Sequence, residues 1–151
     1  MAHNKTVISN RQAARDYYLE KPLEAGLQLK GNEVKSLRNG NANLKGSFVS
    51  ITKGEVFIYN MHITPYKFSR DDVDPVRPRK LLLHSAQVKH LEVESSQKGY
   101  AIIPTKIYFH RGYAKVEIAL GRGKKMHDKR VSLKEKQAKR EMDRALSHKN
   151  K

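Results

Sequence analysis

Seven histidines are the first candidates for acid–base or metal chemistry in this chain, and their placement supports neither. His3, His62, His84, His90, His110, His127 and His148 show no HxxxH or HExxH spacing, so no helix face pairs two imidazoles on a metal. Cysteine is absent, which removes disulfides, thiolate metal sites and a thiol nucleophile, and fits a reducing compartment. Asp71, Asp72 and Asp74 share one stretch, where they read either as a weak cation site or as a solvated turn. There is no Walker phosphate loop and no dinucleotide fingerprint. Gly121-Arg122-Gly123 precedes two lysines but lacks the strand-to-helix setting of a phosphate loop. A basic ribonuclease built on His62 or His127 would need a second acid–base group or a metal, and the sequence supplies no clear one. The expectation is a protein that is not an enzyme and carries no metal or cofactor.

Charge is the stronger signal. Lys and Arg number 31 against 15 Asp and Glu, a formal net charge of +16. Such a surface attracts a polyanion: nucleic acid, an acidic protein or an anionic membrane. The excess is uneven. From Gly121 to Lys151, 12 cations oppose 4 acids, so half of it lies in the last 31 residues. No apolar run approaches the ~18 residues of a membrane span, and MAHNKTVISN lacks the apolar segment of a secretory signal. A cytoplasmic protein without a membrane partner is expected. The chain's 151 residues suffice for one domain with its own core.

The elements that must position these charges are mostly strands. Residues 1–9 read as a loose arm, and Asn10 as the N-cap of a short helix in RQAARDYYLE. Tyr17 to Leu29 steps by two, with Pro22 pointing to a bent edge strand. In LQLKGNEVKSLRNGNANL the period changes. Leu27 to Lys30 alternates like a strand, Gly31 breaks it, and Asn32 can cap a two-turn helix with Glu33 in its first turn. Val34 and Leu37 share the face that must pack on a sheet, leaving Glu33, Lys35, Ser36 and Arg38 on the wetter side, and Asn39-Gly40 is a left-handed stop. SFVSITKGEVFIYN reads as a hairpin turning at Lys53-Gly54, with His62-Ile63 extending its second strand. Thr64 to Lys80 is a long proline-bearing loop ending in PVRPRK. Ser85 caps a helix over Ala86–Glu94. Tyr100–Phe109 and Tyr113–Leu120 are strands joined by His110-Arg111-Gly112.

About six strands with no repeating strand–helix–strand rhythm argue against a parallel sheet. A mainly β fold follows: a closed antiparallel six-stranded barrel, comparable to the oligonucleotide-binding (OB) type, with short flanking helices. Residues 1–120 form that barrel domain and residues 121–151 a basic tail. In the tail Val131, Ala138, Met142 and Ala145 or Leu146 make only a thin apolar stripe. Disorder when free, and a helix only against a partner, is the expectation.

Aromatics that mostly belong to strands leave little for stacking on single strands, so backbone contacts to folded, double-helical RNA suit this charge better. Glu33 is then anomalous. At an RNA surface it must accept from base or ribose donors, or hold a neighbouring lysine or arginine in place. In GRGKKMHDKR, Arg122, Lys124, Lys125, Lys129 and Arg130 are opposed only by Asp128, and His127 adds a ring that can stack or become cationic. A ribosomal or ribosome-assembly RNA-binding protein and a basic ribonuclease are the other readings of this pattern.

EAGLQLKGNEVKSLRNGNANL, HITPY, RPRKLLL and GKKMHDKR with its basic sequel, in this order, resemble the SmpB (small protein B) family, the transfer-messenger RNA (tmRNA, SsrA RNA)-binding proteins of bacteria. The resemblance covers the chain from about Asn10 into the tail. It implies an OB-type barrel that binds the tRNA-like domain of tmRNA and stands in for the missing anticodon arm. In trans-translation the tail then occupies the decoding centre and the empty mRNA channel of a stalled ribosome, and the nascent chain is tagged for degradation. The implied partners are tmRNA, the 30S and 70S ribosomal particles with 16S ribosomal RNA, and, through tmRNA, elongation factor Tu and alanyl-tRNA synthetase; the free protein would be a monomer. By position, the resemblance implies RNA contacts at Glu33, Lys35, Ser36 and Arg38, with Asn10, Arg11 and Asn43 nearby and Arg79, Lys80, Lys124 and Lys125 beyond. It assigns His127 to the decoding centre and Asp128, Lys129 and Arg130 to tagging. Some relatives carry a tail tryptophan, which this chain lacks. On this reading Glu33→Ala weakens RNA binding with the fold intact, and removing residues after Leu120 spares RNA binding but abolishes tagging.

Overall fold

The computed structural model describes residues 6–66, 73–124 and 126–149. They form β1 (Thr6–Ser9), α1 (Arg11–Asp16), β2 (Tyr17–Leu27), α2 (Gly31–Arg38), β3 (Ala42–Asn43), β4 (Phe48–Thr52), β5 (Glu55–Tyr59), β6 (His62–Ile63), β7 (Arg79–Leu82), α3 (Ser85–Lys98), β8 (Ala101–His110), β9 (Tyr113–Gly123) and α4 (Met126–Lys149). Alternation along the strands explains the closure. In β9, Ala114, Val116, Ile118 and Leu120 are buried while Tyr113, Lys115 and Glu117 face outward. Such a one-faced sheet hides its apolar side by curling on itself.

The strands β8, β4, β5, β7, β2 and β9 follow one another round a ring that the β8–β9 pairing closes, so the expected six-stranded antiparallel barrel is present. β8 is paired along one edge with β9. Its other edge is shared, with β4 joining at Val49↔Ile102 and β1 lying against residues 106–108. Ile58, Met61, Ile107, Val116 and Ile118 are fully sealed in the interior, with Leu37 of α2 and Leu44 at one end. The β4–β5 hairpin turns at Lys53 (φ 52°) and Gly54 (φ 76°), as expected from the Lys-Gly pair.

Several sequence expectations change. Thr6–Ser9 belong to a strand rather than a loose arm, because Ile8 buries itself and the run pairs with β8. β2 is no edge strand, since it pairs with both β7 and β9. Pro22 is tolerated because it sits in the register shift between Glu20 and Leu23, where Lys21 (φ 53°) takes the chain out of the ladder. His62-Ile63 do not extend β5. Asn60 (φ 61°) turns the chain and sends them to pair with β3 in a separate two-stranded sheet. Ser85 is the first residue of α3 rather than its cap, and the helix continues to Lys98, where Gly99 in the left-handed region ends it. β9 runs past Leu120: Gly121 pairs with both Leu19 and Ala101, Arg122 with Tyr18 and Gly123 with Tyr17. In the tail, Met126–Lys149 is one helix of 24 residues, exposed over 134–145 and lying close to α1. Among the described residues no helix is long and apolar enough to cross a membrane.

Candidate nucleic-acid interface

α2 has eight residues, too few to persist alone in water. Lys30, in extended conformation, is its N-cap in place of Asn32, and the Lys30 amide donates to Glu33 Oε1 at 2.9 Å. At the other end the Gly40 amide donates to Leu37 O and the Asn41 amide to Ser36 O, with Gly40 at φ 74°. The buried face is Glu33, Ser36 and Leu37, with Val34 only half buried. That reverses the sequence expectation that Glu33 and Ser36 lie on the wetter side of the helix.

Glu33 goes inside because two arginines meet it there. Arg79 Nε donates to Glu33 Oε2 at 2.7 Å, and Arg77 donates to both carboxylate oxygens, Nη2 to Oε1 at 2.5 Å and Nε to Oε2 at 3.1 Å. Arg79 spends its remaining guanidinium donors on Met61 O (2.5 Å) and Pro75 O (3.0 Å) and is 0% exposed, while Glu33 is 4% exposed. Burial by itself would raise the Glu33 carboxyl. The hydrogen bonds from Arg77, the Lys30 amide and Arg79 outweigh it and hold the group below its ordinary value. One carboxylate therefore ties α2 to the entry of β7, and through Met61 and Pro75 to the segments on either side of β6. The backbone bonds Ile63 N to Pro75 O and Thr64 N to Asn41 O complete this joint.

The exposed side of α2 carries its cations, each laid on an aromatic ring. Lys35 Nζ is 5.2 Å from the Tyr66 centroid and Arg38 Cζ is 4.6 Å from that of Phe109. Arg38 Nη2 also donates to Gly112 O at 3.3 Å, which fixes α2 to the β8–β9 turn. Contacts of this kind hold a cation in place for about 0.5–1 kcal/mol while leaving it open to an anion. Asn43 is exposed and caps the following turn by accepting from the Lys45 amide. Lys80 lies half exposed on the outer wall, 3.7 Å from Glu55.

A second cationic face lies where β9 ends. Lys124 Nζ and Arg122 Cζ stand 4.9 and 5.1 Å from the Tyr18 ring, and Lys124 Nζ donates to Ala14 O. Asn10 is buried there, accepting from the Ala13 amide as the expected cap and donating to Pro104 O. Arg11 is exposed on α1. This face lies at the opposite end of β9 from the α2 face.

The structure thus divides the sequence-derived residues. Lys35 and Arg38 share one face, Arg11 and Lys124 another. Asn10, Glu33, Ser36 and Arg79 have buried side chains that shape these faces instead of presenting themselves. Lys125 lies outside the described residues, as do the side chains of His127, Asp128, Lys129 and Arg130, whose backbone forms the first turns of α4. Arg122, singled out in the basic GRGKKMHDKR stretch, takes its place over Tyr18, whereas Arg77, Tyr66 and Phe109 are not among the residues the sequence assigns to the site. The Arg77-x-Arg79 spacing was a usable sign, because residues two apart in extended chain point the same way.

A closed antiparallel barrel of the OB type, with aromatic-seated cations at both ends and a basic helix beyond, defines an RNA-binding protein. Residues 7–148 match the family model for SmpB protein. The SsrA-binding protein of Syntrophotalea carbinolica is 50% identical over 143 residues, covering 94% of this chain and 95% of that one. The SsrA-binding protein of Geobacillus thermodenitrificans is 47% identical over 148 residues, with 97% and 96% covered. A chain from a solved structure described as "tmRNA-SmpB: a journey to the center of the bacterial ribosome" is 49% identical and superposes with a TM-score of 0.67, covering 79% of this chain and 85% of that one. The chain belongs to the SmpB family.

Proposed function

We propose that this protein is a tmRNA-binding factor of trans-translation: it binds the tRNA-like domain of tmRNA, stands in for the missing anticodon arm, and places its C-terminal helix in the decoding centre and vacant mRNA channel of a stalled ribosome. The observation that carries this reading is the 50% identity over 94% of the chain to an SsrA-binding protein. The geometry supports it through the cations of α2, which a buried joint holds rigid, as shape recognition of folded RNA requires. The protein acts as a non-catalytic binding factor in the cytoplasm. Elongation factor Tu and alanyl-tRNA synthetase are reached through the RNA. Residues 126–149 are the separable unit, with His127, Asp128, Lys129 and Arg130 entering the decoding centre.

A salt titration of binding to the tRNA-like domain tests this, with single-stranded RNA of equal length as competitor. The full chain is compared with a version ending at Lys124, because a cut at Leu120 would remove the last pairs of β9. Both versions are expected to prefer the structured RNA, the shorter one with a shallower salt slope and no tagging activity. Loss of the preference on truncation would place recognition in the helix and overturn the assignment to α2. Equal binding to ribosomal RNA fragments would favour a ribosome-assembly role.

A further inference from the structure

The groove between α1 and α4, about 580 Å³, is lined by Arg11, Arg15, Lys136, Arg140 and Arg144, with Gln137 and Glu141. Five cations face one carboxylate there. None of the ion pairs among the described residues involves these five side chains. Residues 134–145 are exposed, Met142 at 70%, so over that stretch no apolar seam holds the helix to α1. Two like-charged helix faces repel unless an anion lies between them.

The spacing selects the anion. Arg11 and Arg15 are four residues apart on one helix, and Lys136, Arg140 and Arg144 step by four on the other. Each step of four rises about 6 Å along the axis, comparable with the step between successive phosphates on one nucleic-acid strand. Guanidinium forks suit phosphate oxygens. We propose that α1 and α4 are the two jaws of a clamp for an RNA phosphodiester strand, and that the strand closes the C-terminal helix onto the barrel. The inference rests on the RNA-binding reading above and adds to it a contact surface neither helix provides alone.

The test uses the full chain, the tRNA-like domain of tmRNA as probe, and four proteins: wild type, Arg11→Gln/Arg15→Gln, Arg140→Gln/Arg144→Gln, and the quadruple variant. A shared strand makes the two double substitutions non-additive, so the quadruple variant loses less affinity than the product of the two separate losses. Each double substitution lowers the salt slope by about 1.4–1.8. Because the chain has no cysteine, dyes on Ala14→Cys and Lys139→Cys report the distance between jaws. It is expected to settle at the short separation of the structure when RNA is added, and to spread to longer ones without RNA and in the quadruple variant. Multiplicative losses, or a distance that RNA leaves unchanged, overturn the clamp. Failure of the wild type to bind the probe at all would instead overturn the functional reading on which the clamp rests.

Discussion

Glu33→Ala removes the counter-charge from a guanidinium that water cannot reach. Arg79 is 0% exposed and its Nε keeps no other acceptor once Glu33 is gone. Breaking a buried pair from one side costs about 3–5 kcal/mol, because the remaining charge stays desolvated. Arg77 softens this little, since it stands on the outer rim of the same carboxylate. For a chain of 151 residues, each kcal/mol lowers Tm by about 2–4 °C, so a fall of about 6–20 °C is expected. Domains hold only about 5–15 kcal/mol in total, so α2 and the entry of β7 loosen first. The structure therefore revises the sequence expectation that this substitution leaves the fold intact. Thermal unfolding followed by circular dichroism, with RNA affinity measured on the same preparation well below Tm, checks it. Glu33→Gln, which keeps an acceptor for Arg79, is expected to fall between wild type and alanine in both readouts. If Glu33→Ala kept its Tm within about 2 °C while losing RNA affinity, the carboxylate would be touching RNA, and the joint between α2 and β7 would be refuted as its role.

Acid dependence follows from the same carboxylate. Its pKa in the folded protein lies below the ordinary 4.5, so its contribution to stability is complete above that value and is lost as pH falls through the folded pKa. The Tm gap between wild type and Glu33→Gln should be widest near neutral pH and close at acid pH; a gap that is constant across the series would show that charge is not what Glu33 contributes. Gly121→Ala should destabilise by about 1–3 kcal/mol, because its Cβ would stand 2.9 Å from Ile103 Cγ1 and 3.1 Å from the Tyr17 ring. Urea denaturation measures this, and an unchanged midpoint would mean that Ile103 and Tyr17 yield freely.

Strands whose pattern is local could be read directly from the order of residues. The Lys53-Gly54 hairpin, the alternation of β9, the Asn10 cap and the stop at Gly40 each depend on residues within a few positions, and each is where the sequence placed it. Family membership was legible for the same reason, since it rests on linear motifs. Which polar groups lie inside depends instead on contacts between distant parts of the chain. Glu33 reads as a solvated first-turn acid because its partners, Arg77 and Arg79, lie 44 and 46 residues further on. No helical periodicity can announce a counter-charge delivered by another strand, and a carboxylate is buried only where one arrives. Likewise Pro22 suggested an edge because a missing amide donor is most often tolerated there. The bulge that admits it into an interior strand exists only through the pairing with β9. Local chemistry fixed the elements, and the long-range pairing of charges and strands chose the faces they present.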